Sequence, residues 1–157
     1  PLKKASGIKE TWFLGNSTHV ADLAFFLSGT PMEWQGWHEG SLEWHPAAAR
    51  FCGAGRTDRG ILFSYHADWE APGRWGIEVC TRTRRLVFRP MEQLYETLIG
   101  SVKVNPVDID DSLDKEFKPG LYRQTEAFLN REYGSLCSLT RQAEMCSIYE
   151  KMAGYTD

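Results

Sequence analysis

His19 and Asp22 stand three residues apart at the start of an apolar run, His19-Val-Ala-Asp22-Leu, and are the pair in this sequence whose types and spacing suit chemistry. On a helix, residues three apart share one face. Histidine titrates closest to neutrality, so it can accept a hydroxyl proton at physiological pH. At a helix start the positive end of the dipole disfavours the charged ring, while a carboxylate one turn on pulls the other way. The same position equally suits a histidine that only packs or caps.

Other chemical constellations are absent. Neither GxGxxG nor GxxxxGK[ST] occurs, and Gly53-Ala-Gly55 lies in a strand-rich stretch with no helix after it, so a complete nucleotide-binding site is not expected. There is no GxSxG elbow or HExxH, and His38-Glu39 lacks a second histidine four residues on. Cys52, Cys80, Cys137 and Cys146 form no CxxC and no zinc-type spacing with histidine. They are expected to be reduced, structurally buried thiols of a cytoplasmic protein, and no metal site is expected. A formal charge of −3 and a pI near 5.8 argue against nucleic acid as partner. The local cluster of Arg82, Arg84, Arg85 and Arg89 is expected to form a solvated hairpin tip. No apolar run approaches the ~18 residues that span a bilayer, so no membrane partner is expected.

The elements that must position His19 follow from periodicity. With 157 residues, 42% apolar and 25% charged, the chain suits one globular domain, 1–157. Asn16 to Pro31 predicts a helix: Asn16, Ser17 and Thr18 offer capping oxygens, Val20, Leu23, Ala24 and Leu27 recur at helical spacing as a core face, and Gly29 and Pro31 end it. From Met32 to Pro90 the period becomes two, which predicts a meander of antiparallel strands. In it Ile61, Phe63, Tyr65, Ala67 and Trp69 share one face, and Trp75–Thr81 is the expected hairpin partner, followed by a strand over Arg85–Arg89. Asn105–Lys118 is expected to be a surface loop, Gly120–Glu132 a helix with Leu121, Phe128 and Leu129 inward, and Ser138–Met152 a helix with Met145, Ile148, Tyr149 and Met152 on one stripe. The fold class is therefore α+β: a largely antiparallel open sheet with helices on one face. Trp34, Trp37, Trp44, Trp69 and Trp75 exceed what one helix layer would hide, so the other face is expected to meet a second subunit or domain.

The segment from Trp12 to Pro31, with its His19-x-x-Asp22-Leu start, resembles the opening of the C-terminal domain of the glucose-fructose oxidoreductase, inositol dehydrogenase and MocA family (Gfo/Idh/MocA). Ala71-Pro-Gly-Arg-Trp-Gly-Ile-Glu-Val79, Leu86-Val-Phe-Arg-Pro90 and the run from Phe117 to Phe128 resemble later landmarks of that domain in the same order. The resemblance implies the substrate-binding and oligomerisation half of an NAD(P)-dependent oxidoreductase acting on a sugar, inositol or sugar-nucleotide-like alcohol. It implies NAD or NADP bound by an N-terminal Rossmann domain that is not in this sequence, and a homo-oligomer formed through the sheet. Pro1-Leu-Lys-Lys suits a cut within a longer protein.

By the same resemblance, His19 is the proton acceptor or hydroxyl orienter, and Lys9, Trp12, Asn16, Tyr122 and Arg123 are substrate contacts. Two departures stand out. The family's aspartate four residues before the histidine is Gly15 here, and its Glu-Lys-Pro element is missing, Lys118-Pro119 lying in a different context. The alternative expectation is a non-catalytic dimerisation or carbohydrate-binding module on the same fold.

Overall fold

The computed structural model describes residues 8–156. In chain order it has a π-helical turn (Phe13–Ser17), α1 (Thr18–Ser28), β1 (Pro31–Glu39), β2 (Arg50–Thr57), β3 (Leu62–Asp68), β4 (Ile77–Cys80), β5 (Arg84–Phe88), β6 (Leu94–Leu98) and β7 (Asn105–Pro106). Then come α2 (Ser112–Glu116), α3 (Leu121–Leu129), a 3-10 turn (Tyr133–Ser135) and α4 (Leu139–Met152). The class is α+β and every strand pairing is antiparallel. The strands form two open sheets, β1-β2-β3 and β4-β5-β6-β7, instead of one meander. The expected pairing of β3 with the Trp75–Thr81 segment is replaced by pairing of β3 with β2 and of β4 with β5. Between β3 and β4, Pro72 lacks an N–H donor and Gly73 and Gly76 weaken any strand, which accounts for the break. The chain divides correspondingly into two compact units, Pro1–Gly73 with Gln142–Asp157, and Arg74–Arg141.

In the first unit α1 and α4, from Gln142 onward, cover one face of β1-β2-β3. The core joins Phe13, Phe25, Ala48, Phe51, Met145, Tyr149, Met152 and Ala153, with Trp34, Phe63, Tyr65, Ala67 and Trp69 packed from the sheet. The alternation expected for β3 holds from residue 62 onward, with 63, 65, 67 and Trp69 lying inward and 62, 64, 66 and 68 exposed, whereas Ile61, expected on the same face, precedes the strand and is 45% exposed. The α4 stripe also holds: Met145, Tyr149 and Met152 are buried and Ile148 packs beside them. Gly154, at φ 70°, ends α4, with the Tyr155 N–H bonded to Glu150 O and its own N–H to Lys151 O, the two bonds of a Schellman cap.

The inward face of α1 differs from the expected one. Phe25 is buried while Leu27 is 40% exposed, and Phe13, Ser17, Ala21 and Phe25, four residues apart, make the inward line. The helical path already begins at the π-turn, which shifts the phase of the helix, and Ser17, expected as a cap, is buried without a side-chain cap bond.

Of the tryptophans, only Trp37, 57% exposed, stands on the outward face of the first sheet; its register neighbours there are Cys52 and, on β3, His66. Trp34 and Trp69 turn to the core and Trp44 stacks on Trp69 at 5.6 Å. The outward rows are otherwise mostly polar, with ion pairs Arg56–Glu33 at 2.7 Å and Arg50–Glu70 at 3.0 Å. The crowding of tryptophans expected on that face therefore does not occur: Trp34 and Trp69 turn inward, Trp44 lies in the β1–β2 connection, and Trp75 belongs to the second unit.

In the second unit, Ile77 opposes Phe88 and Val79 opposes Leu86, and Ile77 is buried. Arg84 pairs with Glu96 at 2.7 Å and Arg85 with Glu78 at 3.2 Å, which spends two arginines of the basic cluster on cross-strand pairs. The expected loop 105–118 contains β7, paired with β6, and α2, before which Asp110 accepts from the Ser112 hydroxyl at 2.6 Å. That hydroxyl draws the Asp110 carboxyl below its ordinary range. On α3 the inward residue is Ala127; Leu121, Phe128 and Leu129 are 49%, 63% and 73% exposed, contrary to expectation. The helix lies against short neighbours, α2 and the 3-10 turn, so its large side chains have little to pack on within this unit.

Two tyrosines of the first unit make opposite predictions. The Tyr155 hydroxyl accepts from the Phe13 N–H at 3.2 Å and bonds His45 Nε2 at 2.6 Å, so Tyr155→Phe should cost about 1–3 kcal/mol by orphaning buried groups. The Tyr65 hydroxyl is buried with no partner among the described residues, and burial pushes its phenol up to about 12 from an ordinary 10.0. Tyr65→Phe should therefore be neutral or stabilising by up to about 1 kcal/mol. Between those pH values the unfolded chain binds fewer protons at this site, so the wild type should lose stability as pH rises above 10. The Tyr65→Phe variant should lack that component, which urea denaturation at pH 7 and above pH 10 will measure.

Candidate functional site

The helical path that carries His19 starts with a wide turn. Thr18 N–H reaches back to Phe13 O, an i to i+5 bond, and the Thr18 hydroxyl donates to Leu14 O at 2.8 Å. π-turns of this kind recur at functional sites. Because Trp12 through Ser28 is continuously helical, His19 lies well inside the helix. This corrects its expected place in the first turn: the unsatisfied N–H groups that carry the dipole's positive end lie earlier, and the argument from the dipole does not apply to His19.

His19 is exposed and borders a concavity of about 330 Å³, whose other walls are Thr18, Asp22, Leu23, Phe26, Gln142 and Tyr149. The floor is fixed by one long-range bond. Tyr149, only 1% exposed, donates its hydroxyl to Asp22 Oδ1 at 2.8 Å, tying α1 to α4. Four polar side chains and this phenol surround a space walled by Leu23 and Phe26, and among the described residues no lysine or arginine lines it. A neutral or charged imidazole and a carboxylate three residues apart can accept or donate to a ligand hydroxyl, and the apolar wall can take a C–H face.

Other expected site residues distribute unevenly. Lys9 is exposed in the turn before the helix, Trp12 is half-buried where the helix begins, and Asn16 is half-buried in the π-turn; none of them lines the concavity. Tyr122 and Arg123 are exposed on α3 of the second unit, where the Tyr122 ring packs on Phe117 at 5.0 Å between centroids. Gln142 and Tyr149 were not anticipated as site residues. The signal for Tyr149 was its hydroxyl in an otherwise apolar stripe, since a buried tyrosine needs a polar partner, and Asp22 is an acidic residue in the apolar stretch of α1.

The cysteines differ from expectation: Cys52, Cys80 and Cys137 are exposed and Cys146 is half-buried. Cys52 occupies an outward position in the alternation of β2, which is why it escapes the core. No group of three metal-binding side chains occurs among the described residues, and no helix among them is long and apolar enough to cross a membrane. Gly53 and Gly55 lie within β2, and the space a side chain would need there is filled by Tyr65 and Trp34, so they form no phosphate cradle. No family model, curated protein or solved structure matches the chain.

At Gly15 the structure leaves room: among the described residues a Cβ would meet only Ile8 Cγ2, at 3.9 Å. Gly15→Asp should therefore fold normally, with stability within about 1 kcal/mol of wild type, because glycine and aspartate are both weak helix formers that differ by only a few tenths of a kcal/mol. Thermal melting of the variant checks this.

Proposed function

We propose that this chain is the substrate-binding and oligomerisation domain of a cytoplasmic NAD(P)-dependent oxidoreductase of the Gfo/Idh/MocA type, acting on a sugar, inositol or sugar-nucleotide-like alcohol. The observation that carries this reading is the company of His19: Asp22, Thr18, Gln142 and the Tyr149 hydroxyl around a concavity with an apolar wall of Leu23 and Phe26. Alternating hydroxyls and C–H faces are the chemistry of a polyol ring, and such a lining presents both. In this reading His19 takes the proton of the reacting hydroxyl or orients it, and the nicotinamide nucleotide is held by a separate Rossmann domain. A homo-oligomer formed through the sheet belongs to the same reading, with Trp37 the tryptophan that the outward face of β1-β2-β3 offers to it.

A second reading is a non-catalytic dimerisation or carbohydrate-binding module. Gly15 favours it, because glycine cannot orient a substrate hydroxyl with a side chain, and so does Trp37, an exposed indole on a polar sheet face.

Two measurements decide between them. In the full-length protein, His19→Ala should lower turnover by roughly 10² or more with little change in melting temperature, the scale of losing a positioned proton acceptor. A folded variant with unchanged turnover and Michaelis constant would remove the catalytic reading. Calorimetric titration of the isolated chain with NADH or NADPH should give no saturable signal, and a stoichiometric low-micromolar response would relocate the nucleotide site into this chain.

A further inference from the structure

We propose that Tyr149 is a positioning residue of the His19 concavity, and that the carboxylate it holds makes the site selective for an uncharged polyol with neighbouring hydroxyls over a phosphorylated or carboxylated one. The inference rests on the reading of the concavity as a polyol site and goes on to state which polyols it takes.

Three observations support it. First, the Tyr149 hydroxyl donates to Asp22 Oδ1, which fixes that oxygen, while the carboxylate retains a second oxygen, Oδ2, with its own acceptor capacity. Tyr149 is 1% exposed, on a helix whose other inward residues include Met145 and Met152, so its ring is held in place by packing. Second, His19 and Asp22 are three residues apart on α1 and both line the concavity. Their side chains start roughly 5–6 Å apart, a spacing that can bracket two adjacent hydroxyls of one ring. Third, the charge is one-sided. Among the described residues, Asp22 and His19 are the ionisable groups beside the phenol in the lining, and no lysine or arginine is in it. A phosphate or carboxylate would face the acceptor-only Asp22 carboxylate with no permanently charged cation among the described lining residues to offset it, which costs affinity and thereby discriminates.

The test follows the His19 ring by NMR in the chain labelled at histidine, with glucose, galactose and myo-inositol as uncharged probes and glucose 6-phosphate and gluconate as anionic ones. At least one uncharged probe should move the His19 signal saturably, and the anionic probes should do so at least tenfold more weakly. Tyr149→Phe should weaken the uncharged probe's response roughly tenfold, the scale of one hydrogen bond to a charged group, and Asp22→Asn should weaken it similarly. A purely structural Tyr149 would instead lower the melting temperature and leave the dissociation constant and the anion discrimination of the folded fraction unchanged, and that result would overturn the inference. Should Tyr149→Phe fail to fold, Asp22→Asn decides alone, and undiminished binding or undiminished discrimination in it overturns the proposal. The two levels of failure are separable. Wild-type binding with unaltered variants defeats the role of Tyr149 alone, whereas no response of wild type to any uncharged probe defeats the polyol reading as well.

Discussion

The first unit depends on a buried hydrogen-bonded relay more than on any single apolar contact. Its centre is His45, fully buried, with Nδ1 2.7 Å from Ala48 O and Nε2 2.6 Å from the Tyr155 hydroxyl. Since Tyr155 also accepts from the Phe13 N–H, the consistent assignment has the tyrosine donating to Nε2 and the Nδ1 proton going to Ala48 O. Three distant stretches, the start of the helical path, the β1–β2 connection and the segment after α4, are thereby held at fixed distances. The cluster around the relay is aromatic: His45 meets Trp69 edge-on at 4.7 Å, and Phe51 lies 4.8 Å from the same indole. Burial raises the Tyr155 phenol above its ordinary value, with the Phe13 amide opposing the shift, so the hydroxyl remains a donor across the physiological range.

Much of this architecture was legible in the sequence, and the failures have particular causes. The alternation of β3 and the stripe of α4 were recovered because each buries one face against a single layer, the situation in which period maps directly onto burial. The phase of α1 was not, since the π-turn adds a residue that no apolar spacing announces. The division into two sheets was hidden for a different reason. Short loops between β-like segments imply antiparallel neighbours, but they do not say that Ala71-Pro-Gly73 and Gly76 interrupt the ladder. Likewise the apolar spacing of α3 was real, yet Leu121, Phe128 and Leu129 find no large surface within their own unit.

The candidate site was half legible. His19 and Asp22 were identifiable from their spacing on one helix. Gln142 and Tyr149 come from more than a hundred residues away, and only the packing of α4 against α1 brings them alongside. His45 stands before Pro46, where nothing local distinguishes it from an exposed histidine; its role emerges from Tyr155, a partner 110 residues away. Polar groups in a core are recognisable from sequence only when both partners are near in the chain. Here neither pair is.

That the first unit is assembled from two stretches, with all of Arg74–Arg141 between them, bears on how the chain is made. During synthesis from the N-terminus, α1 and the three strands emerge with Phe13, Phe25 and Phe51 uncovered, because Met145, Tyr149 and Met152 have yet to be translated. The first unit keeps an open apolar face until the stretch from Gln142 is translated, while the second unit, which is continuous in sequence, can collapse earlier. Of these two units, the one entered first is thus the one completed last, and its closure coincides with the arrival of the helix that also floors the His19 concavity.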